Sequence, residues 1–265
     1  MRVERIQGSM MAVGSGVTRV VAACALALFA LSAHASDTAA PALPADPLQQ
    51  LEPAAAQPLR HAKMADLAGA AASVGVRHVA NWAVHSGDHR GMPFVVVDKV
   101  DGRLFVFDAQ GRLRGATPAL VGSARGDESV PGIGNRPLSS IRPEEKTTPA
   151  GRFPANAGKG PKGEDILWVD YEGGVAIHRV VTSSPKERRL QRLASNVPQD
   201  RRITFGCINV PANFYDTVVL PMFRETVGVV YVLPEVKHPK DLFGSYDVAE
   251  EAAQPAAPLL LPVSR

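Results

Sequence analysis

The feature that most constrains the fold is a series of short runs of β-branched and aromatic residues between about residues 91 and 235. Turn residues bound these runs, notably Asp101-Gly102 and Gln110-Gly111, and short apolar runs with such boundaries predict strands. The sequence therefore predicts a mainly β domain over residues 91–235. The predicted strands include residues 94–98, 103–108, 166–169, 175–178 and 229–233.

The segment before this domain has a different pattern. Residues 61–90 contain no proline and are rich in alanine, and the positions of Met64, Leu67, Ala71 and Val74 are near helical spacing. This pattern predicts an N-terminal amphipathic helix, with only a few peripheral helices expected elsewhere.

Three further segments are predicted to lie outside the core. Residues 36–60 are rich in alanine and proline and predict an extended linker. Residues 122–152 hold repeated glycines and prolines, which indicate a long loop over one face of the domain. Residues 236–265 are predicted to be a disordered tail.

The first 35 residues are typical of a secretory signal peptide. A basic start ends at Arg19, an apolar run follows over residues 20–31, and Ala33-His34-Ala35 fits a cleavage site. The run is shorter than the roughly 20 residues that a membrane-spanning helix needs, so no permanent membrane anchor is expected. The sequence therefore predicts export to the periplasm and cleavage after Ala35.

Cleavage at that site would remove Cys24 and leave Cys207 as the single cysteine of the mature chain. An internal disulfide is then impossible. An unpaired thiol in an oxidising compartment, with a histidine elsewhere in the chain, is a candidate nucleophile. The alternative is a buried, inert cysteine, which is common for free cysteines.

Charge and histidine spacing argue against two classes of function. The formal net charge is +3, which gives no case for a nucleic-acid partner. Among the histidines between residues 61 and 89, only His85 and His89 have the spacing of one helical face, and Gly87 interrupts a helix between them. These histidines are expected on the surface, and neither a metal site nor a cofactor is predicted.

The segment most informative about chemistry surrounds Cys207. Gly206 directly precedes the cysteine, and a glycine lets the backbone approach a substrate and lets neighbouring N–H groups converge on an oxyanion. His178 ends a predicted strand, which would present its imidazole to the thiol and draw the thiol toward thiolate. Cysteine with histidine is the minimum set for acyl transfer.

These residues resemble the YkuD-type L,D-transpeptidases. The family signature is a histidine, a gap, then Ser or Thr, His, Gly, Cys, a hydrophobic residue and Asn. Here the matching residues are His178, Thr204, Gly206, Cys207, Ile208 and Asn209. Residues 147–153 resemble the family's Thr-Pro-x-Gly-x-Phe segment, and residues 97–108 resemble its opening hairpin. The resemblance covers residues 91–235 and implies an L,D-transpeptidase-like β-sandwich catalytic domain.

The resemblance also implies a reaction on peptidoglycan stem peptides. Cys207 would attack the carbonyl of the L-centre before a terminal D-amino acid, and a thioester would form. His178 would act as base, oriented by the main-chain carbonyl of Arg179, with N–H groups of Gly206 and Cys207 as oxyanion donors. Substrate contacts are expected from Thr204, Phe205, Asn209 and Arg202, and Asn209 has a structural alternative in bonding the loop backbone.

Two departures from the family pattern leave alternatives open. Phe205 stands where the family has a second histidine, and its ring neither donates nor accepts hydrogen bonds. The gap between His178 and Thr204 is long and basic over residues 186–202, which indicates either a solvated face or a lid that binds carboxylates. The alternatives to a transpeptidase are an L,D-carboxypeptidase or amidase, and a non-catalytic peptidoglycan-binding protein.

Overall fold

The computed structural model describes residues 63–253. The signal peptide predicted for residues 1–35, the linker predicted for residues 36–60 and the end of the tail beyond residue 253 lie outside the described residues. Within residues 63–253, no helix is both long and apolar enough to cross a membrane.

Ten strands form the framework of residues 63–253. The predicted mainly β fold, with an N-terminal helix and a few peripheral helices, is confirmed. The strands are β1 Phe94–Asp98, β2 Arg103–Phe107, β3 Leu113–Pro118, β4 Val121–Gly122, β5 Gly151–Lys159, β6 Asp165–Asp170, β7 Val175–Arg179, β8 Arg202–Thr204, β9 Ile208–Val210 and β10 Gly228–Val232.

The strands are divided unequally between two sheets. Eight form a mixed sheet in the order β3-β2-β1-β10-β5-β6-β7-β9, and β4 pairs with β8 in a separate sheet of two. The last strand, β10, lies at the centre, parallel to β1 and antiparallel to β5. At the far edge, β7 and β9 are parallel neighbours.

Strands β1 and β10 are buried on both faces of the large sheet. Successive side chains of a strand point to opposite faces, so Val95 and Val97 contribute to one core, and Phe94 and Val96 contribute to the other. The first core is covered by helical segments at Ala212–Phe214, Tyr215–Val219 and Leu220–Phe223. The second is covered by the N-terminal helix and by two short helices after β10.

The N-terminal helix, α1, is shorter than predicted and spans Val74–Ser86. Ser73 caps its start by accepting a hydrogen bond from the Val76 N–H at 3.2 Å, and Gly87 ends it in the left-handed conformation at φ 73°. Residues 63–73 are not helical because they turn at Ala68 and Gly69, both with positive φ.

Two other sequence-based expectations differ from the structure. His89 is buried rather than on the surface, because its ring nitrogens contact the carbonyl oxygens of Ala83 and Ala109 at 2.8 and 3.1 Å. The segment after β10, expected to be disordered, carries helices Pro239–Phe243 and Val248–Ala253 within its described part. Phe243 stacks on Trp82 of α1 with ring centroids 6.4 Å apart, which supplies the apolar contact that orders this segment.

Candidate active site

Cys207 lies in a tight turn between β8 and β9, called here the cysteine turn (residues 205–207). Gly206 adopts φ 137°, a conformation that residues with a side chain rarely take. A Cβ atom at this position would lie 2.9 Å from the Thr147 carbonyl oxygen. Only glycine therefore fits directly before the cysteine, in agreement with the close backbone approach expected from the sequence.

Two threonine hydroxyls hold the cysteine turn. Thr204 Oγ1 donates to the Cys207 carbonyl at 2.6 Å and accepts from the Gly206 N–H at 3.2 Å. Thr148 Oγ1 donates to the Gly206 carbonyl at 2.8 Å. Both the N–H and the carbonyl of Gly206 therefore have hydrogen-bond partners. The N–H would have to release Thr204 Oγ1 before it could donate to an oxyanion.

His178 lies on β7, beside the cysteine turn. In the parallel pairing of β7 with β9, His178 is in register with Asn209, and Ile177 is in register with Ile208. The side chains of His178 and Asn209 contact each other, and Cys207 lies in the turn directly before β9.

The two ring nitrogens of His178 have different partners. Nδ1 is 2.8 Å from the Arg179 carbonyl oxygen, and a carbonyl only accepts, so Nδ1 carries the proton. Nε2 is 3.0 Å from Nδ2 of Asn209, which only donates, so Nε2 holds the lone pair. The imidazole is therefore in the neutral form with a basic Nε2, and the main-chain carbonyl of Arg179 orients it.

The thiol of Cys207 has a partner of its own. Its Sγ donates to the Gly174 carbonyl at 3.4 Å, and none of the hydrogen bonds within residues 63–253 joins Cys207 to His178. Burial raises the pKa of the Cys207 thiol, against the opposing effects of the Ala176 N–H and the Arg189 charge. Burial also lowers the pKa of His178. Both shifts favour the neutral thiol and the neutral imidazole, which opposes the expected drawing of the thiol toward thiolate; that effect stays a prediction.

A cavity of about 100 Å³ opens onto the cysteine turn. Cys207, Phe205 and Thr147 line it, together with residues 173–175 and residues of the segment 129–141. The predicted long loop thus contributes a wall of the site. A larger cavity of about 570 Å³ lies between α1 and the helices after β10, and none of the predicted site residues lines it.

The side chain of Phe205 faces a cation. The ammonium of Lys146 lies 4.1 Å from the centroid of the Phe205 ring, within the range of a cation–π interaction. Positive charge therefore stands next to the position where the family pattern has its second histidine.

Arg202 is buried rather than directed into the cavity. Its guanidinium pairs with Glu235 and donates to the Lys99 carbonyl at 3.1 Å, and its side chain is 7% exposed. A substrate contact by Arg202 stays a prediction, and one that would require breaking this buried pair.

Three solved L,D-transpeptidase structures are similar to this chain. The first is the L,D-transpeptidase of Xylanimonas cellulosilytica (residues 123–326), with a TM-score of 0.34, 18% identity, and coverage of 54% of this chain and 60% of that one. The catalytic domain of the E. faecium L,D-transpeptidase has a TM-score of 0.32 and 16% identity, over 53% of this chain and 95% of that one. The L,D-transpeptidase LdtMt1 in complex with imipenem has a TM-score of 0.30 and 15% identity, over 53% of this chain and 58% of that one.

No family model matches the sequence, and no curated protein matches it. Roles for individual residues therefore depend on the chemistry of the site itself.

Arg189 is a site residue that sequence reasoning missed. It begins the short helix α2, Arg189–Ala194, and its NH1 donates to Asn209 Oδ1 at 2.7 Å. The sequence shows a basic run over residues 186–202, but it does not predict which arginine contacts Asn209. Arg192 and Arg201 instead bind backbone carbonyls, with Arg192 contacting Glu187 and Asp200 at 2.9 Å each.

Proposed function

We propose that this chain is an exported cysteine acyltransferase of the L,D-transpeptidase type, acting on peptidoglycan stem peptides in the periplasm. The observation that carries the proposal is that Cys207 directly precedes β9, which pairs with the strand of His178, a neutral imidazole with a basic Nε2. The sequence resemblance over residues 91–235 supplies the substrate class.

In the first half of the reaction, the Cys207 sulfur bonds to the carbonyl carbon of the L-centre while the thiol proton passes to His178 Nε2. The carbonyl oxygen becomes an oxyanion. When the oxyanion collapses, the bond to the terminal D-amino acid breaks, and His178 returns the proton to the leaving amine. A thioester remains on Cys207.

In the second half, an acceptor amine attacks the thioester carbon and gives a proton to Nε2. The carbon–sulfur bond then breaks, and the thiolate recovers that proton from the imidazolium. Water in place of the amine would give the product of an L,D-carboxypeptidase. The two outcomes differ only in the acceptor.

The resting contacts define what must change for the first step. Cys207 must leave the Gly174 carbonyl, and His178 Nε2 must exchange the Asn209 amide for the thiol. Since both residues are neutral, the proton moves during attack rather than before it. General-base assistance of this kind contributes about 10²–10⁴-fold in rate.

Oxyanion stabilisation would come from backbone donors at the cysteine turn. The N–H of Cys207 is the first candidate, and the Gly206 N–H can contribute if it exchanges its 3.2 Å contact with Thr204 Oγ1. The Lys146 ammonium beside Phe205 adds positive charge near this position.

The test is incubation of the purified full chain with defined tetrapeptide muropeptides, with and without a D-amino acid as acceptor. Mass spectrometry should show loss of the terminal D-alanine and, with the acceptor, its exchange. A hydrolytic product under both conditions would instead indicate a carboxypeptidase.

Imipenem, which is bound in one of the similar structures, tests the first half alone because opening its strained ring needs no acceptor amine. Intact mass should show an adduct on the wild-type chain and none on Cys207→Ala. A folded wild-type chain that gives neither an adduct nor tetrapeptide turnover would favour the non-catalytic peptidoglycan-binding alternative.

A further inference from the structure

We infer that Arg189 is a positioning residue of the site, which fixes the direction of the Asn209 amide and thereby the tautomer of His178. The inference rests on the proposed function of His178 as base. It assigns a role to the basic segment between β7 and β8 that is neither a solvated face nor a lid for substrate carboxylates.

The contacts form one chain of hydrogen bonds across three elements. Arg189 NH1 of α2 is 2.7 Å from Asn209 Oδ1 on β9, and Asn209 Nδ2 is 3.0 Å from His178 Nε2 on β7. His178 Nδ1 is 2.8 Å from the Arg179 carbonyl oxygen. The members are largely shielded from water, since Asn209 is 1% exposed and the Arg189 side chain is 13% exposed.

The direction of every bond in this chain follows from its first member. A guanidinium can only donate, so the oxygen of the Asn209 amide must face Arg189. The amide nitrogen must then face His178, and because it can only donate, Nε2 must be the acceptor. The proton on Nδ1 goes to the Arg179 carbonyl. Arg189 thus selects the tautomer in which Nε2 can take a proton from the thiol.

Without Arg189, the Asn209 amide can rotate and turn its oxygen toward Nε2. An acceptor in that place favours a proton on Nε2, which blocks the base and stabilises the imidazolium. The positive charge of Arg189 also disfavours the imidazolium form of His178. Burial is the main cause that lowers the His178 pKa, the Arg179 carbonyl and Glu164 raise it, and the Arg189 charge lowers it. Loss of Arg189 should therefore raise the pKa of His178.

The segment that carries Arg189 is itself held in place. Arg188 adopts a left-handed φ of 49°, between the 3-10 helix Pro185–Glu187 and α2, and this turn directs Arg189 toward the sheet. Arg189 Nε also donates to Glu187, and Arg192 Nε donates to the Glu187 carbonyl at 2.9 Å. The additional length between β7 and β8 thus presents one guanidinium to Asn209.

The experiment measures the ring nitrogens of His178 by nitrogen-15 NMR in the full chain labelled at histidine, with a His178→Gln sample to assign the signal. The wild type should show a proton on Nδ1 and an unprotonated Nε2 at neutral pH. In Arg189→Met, the Nε2-protonated form should appear and the titration midpoint should rise. Arg189→Lys keeps a donor and a charge and should recover the wild-type tautomer.

Arg192→Met is the matched control, since it loosens the same segment without removing the donor to Asn209. Its His178 signal should match the wild type. Imipenem acylation gives a second readout: Arg189→Met should be at least about tenfold slower at pH 6, because a base in the wrong tautomer loses most of a general-base contribution of about 10²–10⁴-fold. Because the raised pKa of His178 adds imidazolium mainly at low pH, the difference in rate from the wild type should become smaller at higher pH.

A folded Arg189→Met chain with the wild-type tautomer and titration midpoint would overturn the inference. If that variant does not fold, Arg189→Leu, which also lacks a donor, is measured in the same way, and an unchanged His178 signal there would overturn it equally. A wild-type chain that is neither acylated nor able to turn over tetrapeptides contradicts the proposed function, whereas the NMR measurement still decides whether Arg189 sets the tautomer.

Discussion

The hydroxyl of Thr148 joins the long loop to the cysteine turn: it donates to the Gly206 carbonyl and accepts from the Gly122 N–H, both at 2.8 Å. Thr148→Val keeps the shape but leaves both buried backbone groups without a partner. We expect the free energy of unfolding to fall by about 1–3 kcal/mol for each unpaired buried group. Chemical denaturation measures this change.

Thr148→Ser keeps the hydroxyl and should retain most of the stability. Thr217→Val removes an exposed hydroxyl that contacts only the Asn213 carbonyl, and it should leave the denaturation midpoint nearly unchanged. Equal losses for Thr148→Val and Thr217→Val would show that the Thr148 contacts do not support the turn.

Gly206→Ala should abolish imipenem acylation, because its Cβ would meet the Thr147 carbonyl at 2.9 Å in a backbone conformation of φ 137°. Gly163→Ala is the matched control, with a φ of 81° and no atom within 4 Å of the new Cβ. Both variants carry backbone strain, of about 1–2 kcal/mol, but only Gly206→Ala displaces the cysteine. Acylation of Gly206→Ala at the wild-type rate would refute this account of the turn.

Alkylation of Cys207 by iodoacetamide should be slow at pH 7 and should rise through a midpoint above 9. Burial raises the pKa of the thiol above its ordinary value of 9.0, and deprotonation creates the reactive species. Peptide mass spectrometry restricts the measurement to Cys207. A rate that is already constant between pH 7 and 8 would indicate a preformed thiolate and would contradict the neutral resting pair.

Acid should destabilise the chain through Asp127. Burial opposes ionisation of this carboxylate, but the N–H groups of residues 235–237 and the Lys99 ammonium outweigh burial and lower its pKa from 3.8 to about 2. A lowered native pKa stabilises the folded state above pH 3.8, and this contribution is lost as the pH falls toward 2. Denaturation midpoints between pH 5 and 2 test the effect.

Asp127→Asn should be less stable than the wild type at neutral pH and should lose less stability across that acidic range. Glu128→Gln, next in sequence but exposed, is the control and should follow the wild-type profile. An identical acid dependence in Asp127→Asn and the wild type would remove Asp127 as the cause.

The sequence predicts the strands that carry strong apolar patterns and misses those that do not. The runs at residues 94–98 and 229–233 are buried on both faces, so their continuous apolar character identifies them. By contrast, β5 has glycine, proline and lysine among its nine residues and is largely exposed, so its pairing with β10 and β6 is a tertiary effect.

The same distinction applies to the candidate site. The importance of Gly206 can be predicted from the sequence because its backbone conformation and close contact with Thr147 permit only glycine. The orientation of His178 by the Arg179 carbonyl came only from the family resemblance, and the contact between Arg189 and Asn209 spans 20 positions and has no local signal. The burial of Arg202 depends on Glu235, which is 33 positions away and comes from a different part of the fold.

The central place of β10 has a consequence for the order in which this chain can fold. Val95 of β1 is in register with Val230 of β10, and Phe153 of β5 pairs with the same Val230, so within the large sheet β10 joins two groups of strands. Contacts between positions this distant in sequence slow folding. Without β10, residues 63–227 would hold both groups of strands with the edges of β1 and β5 unpaired. The eight-stranded sheet is complete only once β10 has paired with both β1 and β5.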